Sequence, residues 1–256
     1  MKKCLLFLFF TGILTSTQAQ LAIINDPDGF VNVRKGKGAN TEIVDKLYEN
    51  QIFSYDSESI KDLWVKVLFE NTCFTDYTTG NIKKVGSAPY APTEGYIYSN
   101  RFIPIENLPH IDKAINHRQV SINKVIIKND SLLLTLTTKA FIVKEHKITK
   151  SGSCSNCDAG IAKIDGRQFY GTDENMPHNE LSGISLKIHG QVVDIPPYSY
   201  NDLFEPNINS MNVYFDKKGN IYLYMSQNSD GAGSYSAVWL IKNRKLVSRY
   251  IDISND

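Results

Sequence analysis

Short stretches in which apolar and polar residues alternate recur along the first part of the chain. In the segment 30–34, Val31 and Val33 lie on one face of an extended backbone, while Asn32 and Arg34 lie on the other. A period of two residues indicates a β-strand with one buried face. Four comparable stretches follow with polar turns between them, and this spacing predicts a small, closed or nearly closed barrel. They are residues 42–47, 52–55, 64–68 and 95–98.

The second part of the chain repeats a strand, turn, strand pattern. Two apolar runs, 125–127 and 132–136, flank Asn129 and Asp130, which accept the left-handed conformations of tight turns. One helical interruption is expected near 198–204, between prolines. We therefore predict an antiparallel domain of about eight to ten strands, either a sandwich or a strongly curved sheet, and an all-β protein overall. The other predicted hairpin strands are 161–164, 184–188 with 192–193, 213–215 with 221–225, and 235–241 with 246–251.

The region between these two patterns contains prolines, histidines and charged residues, with Pro109, His110 and His117 among them. We predict a linker at 105–120, which separates a domain at 20–104 from a second domain at 121–256.

The N-terminus has the order of a secretory signal. Lys2 and Lys3 precede the apolar run 5–10, and small residues lead to Ala19. We predict a signal peptide over 1–19, cleavage near Ala19 and a periplasmic or secreted protein. The alternative is a buried first strand or helix. Cys4 would leave with the signal.

Charge and composition exclude two classes of protein. The chain of 256 residues is 42% hydrophobic, which is too apolar for intrinsic disorder. Its 28 Lys and Arg residues are balanced by 27 Asp and Glu residues, and signal removal lowers the 28 to 26. This balance lacks the basic excess of a nucleic-acid-binding protein. No apolar run after the signal has the roughly 18 residues of a membrane span.

The residues 28–38, with the sequence DGFVNVRKGKG, resemble the opening of a bacterial SH3 domain. The stretch 42–51 and the pair 64–67 and 95–99 fit the same family, so that the resemblance covers 22–104. It implies a barrel that binds a cell-wall peptide or protein partner. An exposed groove lined by Tyr55, Trp64, Tyr96 and Tyr98 would offer aromatic faces to an extended peptide or sugar. Because alternate residues of barrel strands point inward, about half of these aromatic residues are expected in the core.

The predicted hairpin between 67 and 96 is lengthened by a polar insertion at 70–94, which includes Cys73. Long insertions are uncommon unless they bind something or are mobile. One interpretation is an added wall over the ligand face of the barrel. The other, which we favour, is a mobile insertion that packs on its own domain.

Three segments of the second domain, 170–173, 200–206 and 229–235, resemble an uncharacterised C-terminal domain of secreted bacterial proteins. This resemblance implies no activity. The glycines of 230–235 also suggest a phosphate-binding loop, but such a loop requires a following helix. Since 235–239 has the pattern of a strand, we predict a hairpin turn.

Cys154 and Cys157 have the spacing of a redox motif, but their flanks predict a loop and not a helix start. A disulfide between them, with Cys73 unpaired, is the interpretation we favour for an oxidising compartment. Redox chemistry and metal binding are the alternatives.

No catalytic residue, metal site or cofactor is predicted. The five histidines are scattered, and we interpret the cluster Asp173, Glu174, His178 and Glu180 as a solvated loop, with a metal or acid/base site as the alternative. The leading hypothesis is a secreted, non-enzymatic binding protein of the bacterial envelope. The alternatives are an immunity or inhibitor protein against a secreted toxin, and an envelope hydrolase or redox protein with its site in the second domain.

Overall fold

A computed structural model describes residues 20–49, 51–69, 74–76, 83–84, 93–112, 117–152, 160–229 and 233–253. In this part of the chain the protein is all-β, as predicted, and its longest helix is the five-residue 3-10 helix Ser57–Lys61. None of the helices there is long and apolar enough to cross a membrane. The strands are β1 (Gln20–Ile24), β2 (Phe30–Arg34), β3 (Ile43–Tyr48), β4 (Ile52–Tyr55), β5 (Trp64–Phe69), β6 (Phe74–Asp76), β7 (Lys83–Lys84), β8 (Thr93–Tyr98), β9 (Phe102–Pro104), β10 (Arg118–Ser121), β11 (Lys124–Lys128), β12 (Leu132–Ala140), β13 (Ile148–Lys150), β14 (Ile161–Ile164), β15 (Asn179–Ile188), β16 (Gln191–Val193), β17 (Asn212–Phe215), β18 (Ile221–Asn228), β19 (Tyr235–Lys242) and β20 (Lys245–Asp252).

The first sheet has seven strands in the order β3-β2-β8-β5-β4-β1-β9. Five of them, β2, β3, β4, β5 and β8, lie at the predicted positions within about two residues. Their inward side chains form one core. In β2 and β5 every second residue is buried in that core, and the residues next to it in the sequence are partly exposed. The buried residues are Val31, Val33, Val65 and Val67. β3 and β9 are the edge strands, so hydrogen bonds between described strands do not close this sheet into a barrel.

Strand β1 was not predicted, because its apolar residues do not alternate with polar ones. The structure explains the pattern, since both faces of β1 are buried. Ala22 and Ile24 lie in the core of the seven-stranded sheet, whereas Leu21 and Ile23 lie in a second, larger core formed mainly by residues beyond 105. A strand buried on both faces is continuously apolar.

The second half of the chain forms two larger sheets. The hairpins predicted from 213–225 and 235–251 lie in a six-stranded sheet in the order β17-β18-β19-β20-β6-β7. The hairpins predicted from 125–136 and 184–193 lie in a five-stranded sheet, β10-β11-β12-β15-β16. A separate pair, β13 and β14, lies between β12 and β15 in the chain. Apolar residues from the two larger sheets share the larger core.

Turn chemistry accounts for two of these hairpins. His189 and Gly190, between β15 and β16, have φ angles of 48° and 76°. Asn243 and Arg244, between β19 and β20, have φ angles of 50° and 59°. Positive φ at both central residues is the geometry of the type I′ turn, which matches the twist of the flanking strands.

The insertion at 70–94 does not pack only on its own domain, contrary to our prediction. Its strand β6 pairs with β20 of the second half, with Phe74 opposite Tyr250 and Asp76 opposite Ser248. Without this pairing β20 would be an edge strand with unsatisfied backbone groups. The insertion therefore links the first sheet to the six-stranded sheet.

The predicted linker at 105–120 also differs from the structure. Ile105, Leu108 and Ile111 are buried in the larger core, together with Leu21, Ile23 and Ile52 of the first sheet. Apolar side chains at these positions remove the segment from solvent. The two halves of the protein are thus joined by a continuous core, by strand pairing and by the packed segment 105–112.

Charged groups add a further connection between the halves. Glu49, in the turn between β3 and β4, lies 2.5 Å from Lys218 Nζ and 3.2 Å from Lys242 Nζ. The hydrogen bonds from Lys218 and Lys242 hold the pKa of the Glu49 carboxyl below its usual value, although partial burial opposes them.

We expect Glu49→Gln to lower the free energy of unfolding at pH 7 by about 0.5 to 1 kcal/mol, as for partly exposed ion pairs. Because the folded-state pKa of Glu49 is depressed, its stabilisation is present above the unfolded pKa and is lost as the pH falls through the folded pKa. Urea unfolding at pH 7 and at pH 3 measures this difference. The control is Glu42→Gln, whose carboxylate forms an exposed pair with Lys35 at 3.5 Å and should contribute almost nothing. Equal effects of the two substitutions would contradict the prediction.

Candidate functional site

An aromatic pair on the first sheet marks the candidate site. Trp64 of β5 is directly opposite Tyr98 of β8. Their ring centroids are 5.5 Å apart and the ring planes meet at 82°, an edge-to-face arrangement. Both side chains are partly exposed, so their apolar surfaces are accessible to a ligand.

Beside this pair the sheet opens. β2 and β8 form a single residue pair, Arg34 with Tyr96, and then separate. Their close approach at this point requires Gly95, because a Cβ there would lie 2.2 Å from Val33 Cγ1. Beyond Arg34 toward Phe30, no described strand pairs with β2 on the side of β8.

The orientation of the β2 backbone follows from its pairing with β3. The Gly29 carbonyl accepts a hydrogen bond from the Glu49 N–H at 3.0 Å, and the Lys35 N–H donates to the Glu42 carbonyl at 2.9 Å. Backbone groups of alternate residues in a strand point to opposite sides. The N–H and C=O groups of Phe30 and Asn32 therefore point away from β3, toward the opening.

The opening forms a cavity of about 420 Å³, which we call the aromatic cleft. This volume is within the usual range of ligand pockets, about 300 to 1,000 Å³. The cleft combines two aromatic side chains, the free side of β2 and charged groups of both signs. It is lined by Asp26, Asp28, Phe30, Val31, Asn32, Arg34, Ala39, Trp64, Tyr98 and Arg101.

The charged groups of the cleft are positioned by local contacts. Asp26 is almost fully buried; its carboxylate accepts a hydrogen bond from the Asp28 N–H at 2.9 Å and lies 2.7 Å from Arg101 Nη1. Arg34 Nη1 donates to the Thr41 carbonyl at 2.6 Å. Charge-assisted contacts of this kind fix the side chains while leaving other donors and acceptors for a ligand. The lining therefore presents fixed charges of both signs beside the aromatic pair.

The four aromatic residues predicted for a ligand groove have different environments. Trp64 and Tyr98 line the cleft. Tyr96 is partly exposed but is outside the lining, and Lys37 Nζ lies 6.0 Å from its ring centroid. Tyr55 is only 4% exposed and belongs to the core of the first sheet.

Tyr55 is therefore a correction to the predicted groove. Its hydroxyl donates to Gln20 Oε1 at 2.5 Å. Burial, with a smaller contribution from Glu106, raises the pKa of the Tyr55 hydroxyl to about 12. The predicted groove did not include the charged lining residues Asp26, Asp28, Arg34 and Arg101. Asp28 and Arg34 lie in the segment 28–38 and Asp26 lies two residues before it, whereas Arg101 meets Asp26 only in the folded chain.

A second group of titratable residues lies in the other half of the protein. His146 Nδ1 lies 2.8 Å from Asp165 Oδ2, and His146 Nε2 lies 3.1 Å from Glu180 Oε2. Lys139 Nζ lies 2.8 Å from the other Glu180 oxygen. Burial opposes ionisation of Asp165, yet hydrogen bonds from the Lys147 N–H and from His146 hold the pKa of Asp165 below its usual value.

This arrangement corrects our interpretation of Glu180 as part of a solvated loop. Its side chain is 9% exposed, since β15 places it between His146 and Lys139. The Phe141 ring stacks on His146 with centroids 4.4 Å apart, which closes one side of the group. Among the described residues, no three or more His, Cys, Asp or Glu side chains are arranged to hold a metal ion. We interpret the group as a structural ion-pair network.

The three segments that carry the second resemblance meet around Phe204. The Phe204 N–H donates to the Tyr170 carbonyl at 2.9 Å, and the Gly171 N–H donates to the Gly233 carbonyl at 3.0 Å. The Tyr235 hydroxyl donates to the Phe204 carbonyl at 3.1 Å. A Cβ on Gly171 would lie 2.0 Å from that same carbonyl oxygen, so only glycine permits this approach. These contacts give the three segments a packing role.

The strands on either side of the predicted turn, β18 and β19, form an antiparallel pair, and a strand, not a helix, begins at Tyr235. Residues 230–232 of the turn lie outside the described residues. Other predictions lie outside the described residues. These are the signal peptide at 1–19, Cys73, and the disulfide between Cys154 and Cys157.

Comparison of the chain with protein-family models, curated proteins and solved structures finds no match.

Proposed function

We propose that the protein is a non-enzymatic binding protein of the bacterial envelope, and that its aromatic cleft binds a cell-wall peptide in an extended conformation. The observation that carries the proposal is the opening between β2 and β8, where Phe30 and Asn32 direct backbone groups toward Trp64 and Tyr98. An extended peptide forms main-chain hydrogen bonds with such an unpaired strand.

The side chains of the cleft support a peptide that carries charges. Arg34 and Arg101 provide donors for carboxylates, and Asp28 provides an acceptor for an amine. Cell-wall peptides contain both kinds of group. The aromatic pair Trp64 and Tyr98 provides apolar contact area at little cost in side-chain entropy. The resemblance of 22–104 to bacterial SH3 domains points to the same class of ligand.

The test is retention of the whole chain beyond residue 19 on purified sacculi. The isolated segment 20–104 is unsuitable, because Leu21, Ile23 and Ile52 would lose the larger core. We expect Trp64→Ala to weaken retention about 30-fold, since truncation of a central aromatic anchor costs about 2 kcal/mol. Circular dichroism checks that the variant is folded.

The matched control is Tyr198→Ala, which removes a partly exposed aromatic ring outside the cleft lining. Its retention should equal that of the unmodified chain. Undiminished retention of a folded Trp64→Ala protein would show that the cleft is not the binding site. Failure of the unmodified chain to bind at low salt would remove wall binding altogether.

A further inference from the structure

The outer face of the five-stranded sheet is cationic. Val125, Ile127, Leu134 and Leu186 point into the larger core, so the alternate residues of β11, β12 and β15 point outward. The strand registers align these outward positions into rows across the sheet. They include the exposed lysines Lys124, Lys128 and Lys187.

The three rows that run from Lys124 to Lys128 across these strands contain no Asp or Glu, and the next outward pair, Lys139 with Glu180, is an ion pair. Within the described part of the chain, none of the three lysines has an ion-pair partner. Lys128 and Lys187 are separated by one strand, a distance of about 10 Å, and Lys124 lies about 13 Å from Lys128 along β11. Three ammonium groups thus share one surface with no carboxylate between them.

The same surface exposes apolar side chains. Leu133 lies between Lys128 and Lys187 in one row and is 38% exposed, and Val192 continues that row at 70% exposed. Ile122, in the turn between β10 and β11 beside Lys124, is 99% exposed. Ile122 thus lies at one end of the lysine rows, and Leu133 and Val192 lie at the other end. Apolar side chains exposed together on one face are a feature of interaction surfaces.

We propose that this face docks on an anionic lipid surface, with the three lysines beside the lipid phosphates and Ile122 entering the interfacial layer. Charge complementarity favours an anionic partner, because each lysine near an anionic bilayer adds its own electrostatic contribution to the binding free energy. The exposed aliphatic residues favour a lipid surface over a soluble polyanion, because a polyanion offers them no apolar environment. This face shares no residue with the aromatic cleft.

The experiment is co-sedimentation of the whole chain beyond residue 19 with vesicles of phosphatidylglycerol and phosphatidylcholine, and with vesicles of phosphatidylcholine alone. We expect binding only to the anionic vesicles. Replacing Lys124, Lys128 and Lys187 together by Gln should lower the partition coefficient about 100-fold, or about fivefold for each lysine. The control replaces three exposed lysines elsewhere, Lys61, Lys163 and Lys217, by Gln and should change binding by much less.

The contact of Ile122 with the lipid can be measured separately from the contribution of the lysines. Ile122→Ser should weaken binding to anionic vesicles, whereas Leu63→Ser, at a residue 65% exposed on the other half of the protein, should not. In an Ile122→Trp variant, the added tryptophan emission should shift to shorter wavelength when anionic vesicles are present.

The proposal would be overturned if the protein did not bind anionic vesicles, or if the two triple-lysine variants lost binding equally. It would also be overturned if the protein bound soluble polyphosphate as strongly as vesicles and Ile122→Ser did not weaken vesicle binding. That last result would assign the face to a soluble polyanion.

Discussion

Replacing Arg249 by Met is expected to lower the free energy of unfolding by about 3 kcal/mol, since removal of one partner of a buried ion pair typically costs about 3 to 5 kcal/mol. Arg249 is 4% exposed, and its two terminal nitrogens lie 2.5 and 2.9 Å from the two carboxylate oxygens of Asp202. Its Nη1 also donates to the Ser199 carbonyl at 3.0 Å. The substitution leaves the Asp202 carboxylate, itself 5% exposed, with Arg167 as its remaining cationic partner at 2.8 Å. Urea unfolding measures the change.

A double variant separates the lost attraction from the cost of an uncompensated buried charge. Arg249→Met combined with Asp202→Leu removes both charges, and a buried pair replaced by apolar groups is often close to neutral. We expect the double variant to be more stable than Arg249→Met alone. The Ser199 carbonyl keeps a donor in both proteins, because Trp239 Nε1 lies 2.9 Å from it. If the stability losses of the two single substitutions simply added in the double variant, this account would be contradicted. Arg167→Met, which removes a partly exposed partner of Asp202, should lower the free energy of unfolding by only about 1 kcal/mol.

The same pair shows what sequence patterns leave undetermined. Asp202 and Arg249 lie 47 residues apart, and the resemblance of the segment 200–206 to another domain does not indicate that they pair. His146 and Glu180 likewise meet only after β15 has paired with β12. Contacts of this kind depend on tertiary packing, so that residue type and spacing do not indicate them. Arg101 reaches the aromatic cleft in the same way.

Strands and turns that are determined by residues close together in the sequence were predicted correctly. The hairpin from β11 to β12 follows from Asn129, whose side chain accepts hydrogen bonds from the Ser131 and Leu132 N–H groups at 3.0 and 2.8 Å. β2 follows from the alternation of Val31 and Val33. The prediction also placed Trp64 and Tyr98 in the candidate site. It could not separate them from the buried Tyr55, because the two faces of a strand are distinguished only by what covers them.

The insertion was the largest departure, and its origin is physical. β6 and β7 are only three and two residues long, which is too short for an apolar period, and they are placed by backbone pairing of β6 with β20 and of β7 with β6. The unpaired N–H and C=O groups of an edge strand form hydrogen bonds with a nearby chain segment that can pair with it. Since β5 and β8 lead directly to this edge, the lengthened hairpin provides the two missing strands.

Shortening this hairpin should therefore damage the other half of the protein. Phe69 and Thr93 form the last residue pair of β5 and β8, so residues 70–92 can be replaced by Asn-Gly, which favours a two-residue type I′ turn. We expect the first sheet to remain folded and β20 to become an exposed edge. Amide exchange at residues 248–250 should accelerate on the order of 100-fold or more, because their opening no longer requires loss of β6. Hydrogen exchange read by mass spectrometry measures this.

The exposed edge should also change the association state. Val247 and Ile251 of β20 are buried, and an unpaired strand with apolar neighbours pairs readily with a second chain. Sedimentation velocity should show dimers or larger species for the shortened protein. A control that replaces residues 86–91 by six Gly and Ser residues retains β6 and β7, so it should remain monomeric if the unmodified chain is monomeric. Unchanged exchange at 248–250 in the shortened protein would mean that β6 does not protect β20, and that the shared core alone holds the halves together.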